Sequence, residues 1–244
     1  MQIYFLPFSG GSYRSYEFMR KHFPKGIDLH FLELPGRGGR YGEPLLNDYR
    51  SAVADYLRQI RSSRRQDMPY IVYGHSLGSI LSLEVIKQME KSMDHPNAMV
   101  VSGNPGPGVS QLKNRNYGNL GKQDFKNKLI EMGGTAQEVL DDEELFDFFE
   151  PIIRGDFRIL DEGYPNISTQ KINTPIFAIM GNEEKTVKEI ENWGRFTTKR
   201  FESLILKGNH FFIYDYPETL AKIIAHPNGF FNSDLSHLSA SDAI

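Results

Sequence analysis

Pro69-Tyr70-Ile71-Val72-Tyr73-Gly74-His75-Ser76-Leu77-Gly78-Ser79-Ile80-Leu81-Ser82-Leu83 decides the fold. Residues 69–73 are apolar, β-branched and aromatic, the pattern of a buried parallel strand. From Ser79 to Met89 the chain reads as a mostly buried helix. Between them Gly74-His75-Ser76-Leu77-Gly78 fits G-x-S-x-G, and a strand, a sharp turn and a helix are the setting of a nucleophile elbow. Such a turn is strained, and its backbone crowds the neighbouring strand and helix, so glycines are needed on both sides of the serine. The expected result is a Ser76 oxygen lifted above the sheet edge, close to a helix N-terminus.

Outward from the elbow, strands and helices alternate. Strands are expected at residues 3–6, 27–34, 98–102, 176–180 and 203–206, and helices at about 16–22, 45–60, 187–196 and 216–225. This rhythm implies an α/β fold, a mostly parallel sheet covered by helices on both faces, with its chemistry at the carboxyl ends of the strands. The Gly-rich stretches Pro7-Phe8-Ser9-Gly10-Gly11 and Gly103-Asn104-Pro105-Gly106 follow strands directly. One segment breaks the rhythm: more than seventy residues separate Ser102 from Ile176, with helices expected at 124–132 and 143–153. Residues 1–226 are expected to form one domain whose helical insert, at about 109–170, is a lid or acyl-binding subdomain. Asp141-Asp142-Glu143-Glu144 reads as an acidic helix start. Leu145, Phe146, Phe148, Phe149, Ile152 and Ile153 read first as core, then as an acyl-chain wall. Residues 227–244 read as a stop at Pro227-Asn228-Gly229 followed by a mobile polar tail.

Composition excludes several classes. A net charge of −3 gives no reason to expect nucleic acid. No cysteine means no disulfide, thiolate metal site or cysteine nucleophile. No apolar run reaches the roughly 18 residues of a membrane span, and Met1-Gln2 leads straight into a strand. A cytoplasmic monomer without membrane, metal or cofactor is expected.

A serine hydroxyl needs a base, and the base needs a carboxylate. After an elbow the acid comes next in the chain and the histidine last. Of seven histidines, His210 stands in the loop after the last strand, in Gly208-Asn209-His210-Phe211-Phe212. His75 is next to Ser76, but neighbours on a turn do not face each other; it is given no role. His22, His30, His95, His226 and His237 carry no motif. The acid should follow residues 176–180, where Gly181-Asn182-Glu183-Glu184 stands, so Glu184 is favoured and Glu183 is the alternative. Asn104 would orient a histidine without charge, and Asp156 and Asp161 lie in the insert, away from any strand end. Two backbone N–H groups should form an oxyanion hole: Leu77, and Ser9 with Phe8 as its alternative.

Leu6-Pro7-Phe8-Ser9-Gly10-Gly11-Ser12, Leu34-Pro35-Gly36-Arg37-Gly38, Gly74-His75-Ser76-Leu77-Gly78 and Gly208-Asn209-His210-Phe211-Phe212, in this order, resemble type II thioesterases. These discrete editing enzymes of nonribosomal peptide and polyketide synthesis are α/β hydrolases by fold. The resemblance runs from about Ile3 to Ala225 and puts the segment holding Arg154-Gly155-Asp156-Phe157 at the family's lid. It implies hydrolysis of acyl groups from the phosphopantetheine thiol of partner carrier domains, with Ser76 as nucleophile, His210 as base, and Leu77 and Ser9 as the hole. The acid departs from it, since the family usually has Asp where Glu184 stands. Carrier docking would favour a basic rim, for which Arg14, Arg20, Lys21, Arg37 and Arg40 are candidates, although each reads first as solvated surface charge. A small-ester esterase or lipase with the same triad, or a non-catalytic fold that binds acyl carriers, would have the same motifs.

Overall fold

The computed structural model describes residues 1–109, 116–133, 135 and 137–230. Six strands form one sheet: β1 (Gln2–Leu6), β2 (Asp28–Phe31), β3 (Tyr70–His75), β4 (Ala98–Ser102), β5 (Ile176–Gly181) and β6 (Phe201–Leu206). Their order is β2-β1-β3-β4-β5-β6 and every pairing is parallel. Direction of growth reverses between β1 and β3, so the loops leaving these strands diverge and open a crevice at their carboxyl ends.

Strand periodicity sends alternate side chains to opposite layers. Tyr4, Leu6, Val72, Met99, Val101 and Ala178 pack beneath α2 (Tyr49–Ser63) and α3 (Leu77–Lys91). Ile3, Phe5, Ile71, Tyr73, Val100 and Ile179 pack beneath α1 (Glu17–Arg20) and α7 (Pro217–Ala225). Each Val, Leu, Ile, Met or Phe among them contributes about 1.5–3 kcal/mol on full burial. Between β4 and β5 lie α4 (Lys122–Met132), α5 (Gln137–Asp141) and α6 (Glu143–Asn166), which share a small core of their own around Phe125, Leu129, Leu140, Phe146 and Phe157. Among the described residues no helix is long and apolar enough to cross a membrane.

Several boundaries differ from the sequence reading, each for a local reason. β2 stops at Phe31: the Leu32 N–H still reaches the Phe5 carbonyl at 3.0 Å, but β1 ends one residue later, before Pro7. α2 starts at Tyr49 because the Asp48 carboxylate accepts the Ser51 N–H at 2.8 Å. Residues 187–196 form a 3-10 helix, and Ile190, Trp193 and Phe196, three apart, stack on its buried side. α6 continues past residue 153 because Phe157, Ile159 and Leu160 are buried farther along it. Of its first apolar residues, Phe146, Ile152 and Ile153 are buried, whereas Leu145 and Phe148 are exposed.

The chain does not stop at Pro227: residues Pro227–Phe230 form a short helix, α8. The rest of the expected tail, with His237, lies outside the described residues, as does 110–115 of the insert. Two of the basic residues read as solvated are not. Arg37 is buried against Asp156; burial works against its charge, but Asp156 more than offsets this and holds the guanidinium above its ordinary range. Arg40 bridges the buried Asp55 and Glu43. Arg14, Arg20 and Lys21 are exposed.

Candidate functional site

Ser76 stands between β3 and α3 with φ 54° and ψ −111°. A non-glycine residue held there costs on the order of 1–3 kcal/mol, and the surrounding bonds show how the strain is sustained. The Ser76 N–H donates to the Ser102 carbonyl at 2.8 Å, and the Ser79 N–H donates to the Ser76 carbonyl at 3.1 Å. The buried Ser79 hydroxyl lies 2.8 Å from the Gly74 carbonyl and 2.9 Å from that of Ser102. The flanking glycines are required by close approach: a Cβ on Gly74 would run into the Gly78 backbone, and one on Gly78 into the Leu6 carbonyl. Although Ser76 is the residue that starts α3, its side chain makes no capping hydrogen bond. Its hydroxyl is left for other use.

His210 follows β6. Its Nδ1 lies 2.7 Å from Oε2 of Glu184, in the loop after β5. In the neutral ring a carboxylate acceptor selects the tautomer with its proton on Nδ1, which turns Nε2 into the acceptor that a general base requires. The other carboxylate oxygen, Oε1, accepts the Gly181 N–H at 2.9 Å, so both oxygens are tied down. The two loops are themselves stitched together, because the Glu183 N–H donates to the Gly208 carbonyl at 3.0 Å and the Asn182 side chain accepts the Gly208 N–H at 2.8 Å. Glu183 is exposed and Glu184 is not. Asn104 holds backbone: it accepts the Gly106 N–H at 2.8 Å, and its amide stands 3.5 Å from the Ser76 carbonyl.

Beneath His210 lies a group to which the sequence reading gave no role. His75 is fully buried, with its ring centroid 4.9 Å from that of His210. Its Nδ1 is 2.8 Å from the Ser102 hydroxyl, which is 2.7 Å from the Tyr73 hydroxyl. Burial first, and the neighbouring His210 second, hold its pKa well below the ordinary 6.5. It is a neutral, hydrogen-bonded floor for the other imidazole. Its place at the last position of β3, facing Ser102 of β4 in register, was the one available signal.

Ser76, His210, Glu184, Phe8 and Ser9 line one cavity of about 380 Å³. The insert supplies its far wall, including Leu129 and Met132 of α4 and Ile153 and Phe157 of α6. The expected nucleophile, base and acid are thus gathered at one opening, with Ser9 on the loop after β1 and Leu77 at the first turn of α3.

The chain is similar to known proteins. Gramicidin S biosynthesis protein GrsT of Aneurinibacillus migulanus is 28% identical over 218 residues, covering 88% of this chain and 84% of its own. Among solved structures, ClbQ from the colibactin NRPS/PKS pathway superposes with a TM-score of 0.82 at 28% identity, covering 94% of this chain and 96% of that one. The type II thioesterase BorB from the borrelidin biosynthetic cluster gives a TM-score of 0.82 at 29% identity, over 92% and 91%. The sheet, flanking helices and elbow are those of the α/β-hydrolase fold. Since the family model for the thioesterase domain matches residues 1–227, the chain belongs to the thioesterase family.

Proposed function

We propose that this enzyme is a type II, editing thioesterase, which hydrolyses acyl groups from the phosphopantetheine thiol of carrier domains. The observation that carries the reading is the 2.7 Å contact between His210 Nδ1 and Glu184, on the same cavity as the strained Ser76. The relatives named above, from gramicidin S, colibactin and borrelidin biosynthesis, support the carrier-bound substrate.

Acylation begins when His210 Nε2 takes the proton of Ser76 and Oγ attacks the thioester carbonyl. The backbone N–H groups of Leu77 and Ser9 hold the oxyanion, and α3 adds the positive end of its dipole. As the tetrahedral adduct collapses, the C–S bond breaks and His210 returns the proton to the departing thiol. Water then attacks the acyl-enzyme, His210 again accepting the proton, and the free acid leaves with Ser76 restored. Glu184 stays ionised throughout, holding the tautomer and stabilising the imidazolium. No cofactor takes part.

Mass spectrometry of an acetyl-loaded carrier protein after incubation tests this. Conversion to the free-thiol carrier is expected, with Ser76→Ala slower by several orders of magnitude because the triad acts as a unit. An untouched carrier beside rapid cleavage of simple esters would move the assignment to an esterase. Normal turnover by Ser76→Ala would remove the nucleophile.

A further inference from the structure

Asp156, inside α6, is fully buried. Oδ2 lies 2.5 Å from Arg37 Nη1 and Oδ1 2.7 Å from Nη2, a two-pronged pair. The same Oδ2 accepts the backbone N–H of Gly10 at 2.7 Å. Arg37 Nη1 is also 3.5 Å from the Gly11 carbonyl. One turn earlier on α6, Ile153 fills the space where a Gly10 Cβ would sit, 3.0 Å away. The lid helix therefore grips the loop after β1 by packing, by a charge-assisted hydrogen bond and through Arg37.

What is gripped is a tight turn. The Gly11 N–H donates to the Phe8 carbonyl at 2.8 Å, and Gly10 has φ +80°, the value of the third residue in a type II turn. Ser9 is the second residue. Because a peptide unit is planar, fixing the Phe8 carbonyl also fixes the Ser9 N–H, which belongs to the same unit. The next unit, carrying the Gly10 N–H, is the one that flips when such a turn changes type. Asp156 holds that unit. A buried ion pair is a poor way to gain stability; here its ends determine its use.

We propose that Asp156 is a positioning residue for hydrolysis: from the lid helix it clamps the Phe8–Gly11 turn so that the Ser9 N–H stands where the oxyanion develops. The inference rests on the reading of Ser9 as an oxyanion donor. It makes the lid helix and the hole one mechanical unit.

Ser9→Pro sets the scale of the test, measured against Ser9→Ala, since proline suits the second position of a type II turn and removes the N–H, while alanine removes the hydroxyl alone. Its kcat on an acyl-pantetheine thioester should fall about 10²- to 10³-fold. For Asp156→Asn, kcat should fall about 10- to 100-fold, below the cost of losing the donor outright. KM should change by less than about twofold, and affinity for a boronic acid that forms a tetrahedral adduct with Ser76 should fall in parallel with kcat. A merely structural role would lower the folded fraction and leave that affinity unchanged. The double variant Arg37→Met with Asp156→Leu removes the buried charges together and should show the same losses while folded. In the wild-type enzyme the Gly10 amide should exchange with deuterium as slowly as core amides of α6. Unchanged kcat and boronate affinity in a folded variant, or fast exchange at Gly10, would overturn the proposal. Normal turnover by Ser9→Pro would instead refute the oxyanion reading.

Discussion

Two adjacent glutamates differ in their fate because one loop turns between them. The Glu184 N–H donates back to the Gly181 carbonyl at 3.1 Å, and this curl carries its side chain inward to His210 while Glu183 is left exposed. A glutamate is one methylene longer than an aspartate; here its second oxygen is anchored on the Gly181 N–H, which holds the longer arm in place. Glu184→Ala should therefore lower kcat about 10³- to 10⁴-fold, with the fold intact. Glu183→Ala should stay within about threefold of wild type in the same assay. Equal losses from both would show that the loop, and not one carboxylate, supports His210. The sequence favoured Glu184 but kept Glu183 open, because the direction of a turn depends on the Gly208 loop facing it. Asp156 carries no local signal for a related reason: its partners, Gly10 and Arg37, are 146 and 119 residues away.

α6 follows sequence rules at its start and not at its end. Asp142 caps α6, its carboxylate accepting the N–H groups of Glu144 at 2.9 Å and Leu145 at 3.0 Å. That matches the acidic start expected there. Asp142→Ala should lower global stability by about 1 kcal/mol, read as a Tm decrease of roughly 2–4 °C for a chain of this size. Turnover at 25 °C should not change. A Tm shift of zero would mean that the tertiary contacts of Phe146 and its neighbours, and not the cap, hold this end. The far end of α6 had no comparable signal. Gly155 weakens helix propensity, yet the helix persists: the Gly155 Cβ position is 3.1 Å from the Leu46 carbonyl, so a small residue lets the helix approach the chain before α2. Packing won over propensity.

At the scale of the molecule, burial of His75 at the centre of the site links folding to pH. Its folded pKa lies below the ordinary 6.5, so the unfolded chain binds the extra proton first as pH falls. Stability is fully present above about pH 6.5 and should decline below it by up to about 1.4 kcal/mol per pH unit. Urea unfolding at pH 7.5, 6.5 and 5.5 measures this slope, and His75→Gln should remove up to one proton's worth of it. An unchanged slope in that variant would place the titration elsewhere.

By itself the sequence determined the α/β layering, the elbow at Ser76, the histidine after β6 and the helical insert's place between β4 and β5. These follow from short-range physics: the two-residue period of strands, glycines where backbones collide, and chemistry at the carboxyl ends of parallel strands. Only the tertiary structure decided which glutamate meets His210, that His75 lies beneath it, that Arg37 is buried rather than solvated, and that Asp156 reaches the Ser9 turn. Each of these is a contact between segments far apart in the chain, fixed by how the sheet and the helical insert pack together. No local pattern encodes such a meeting.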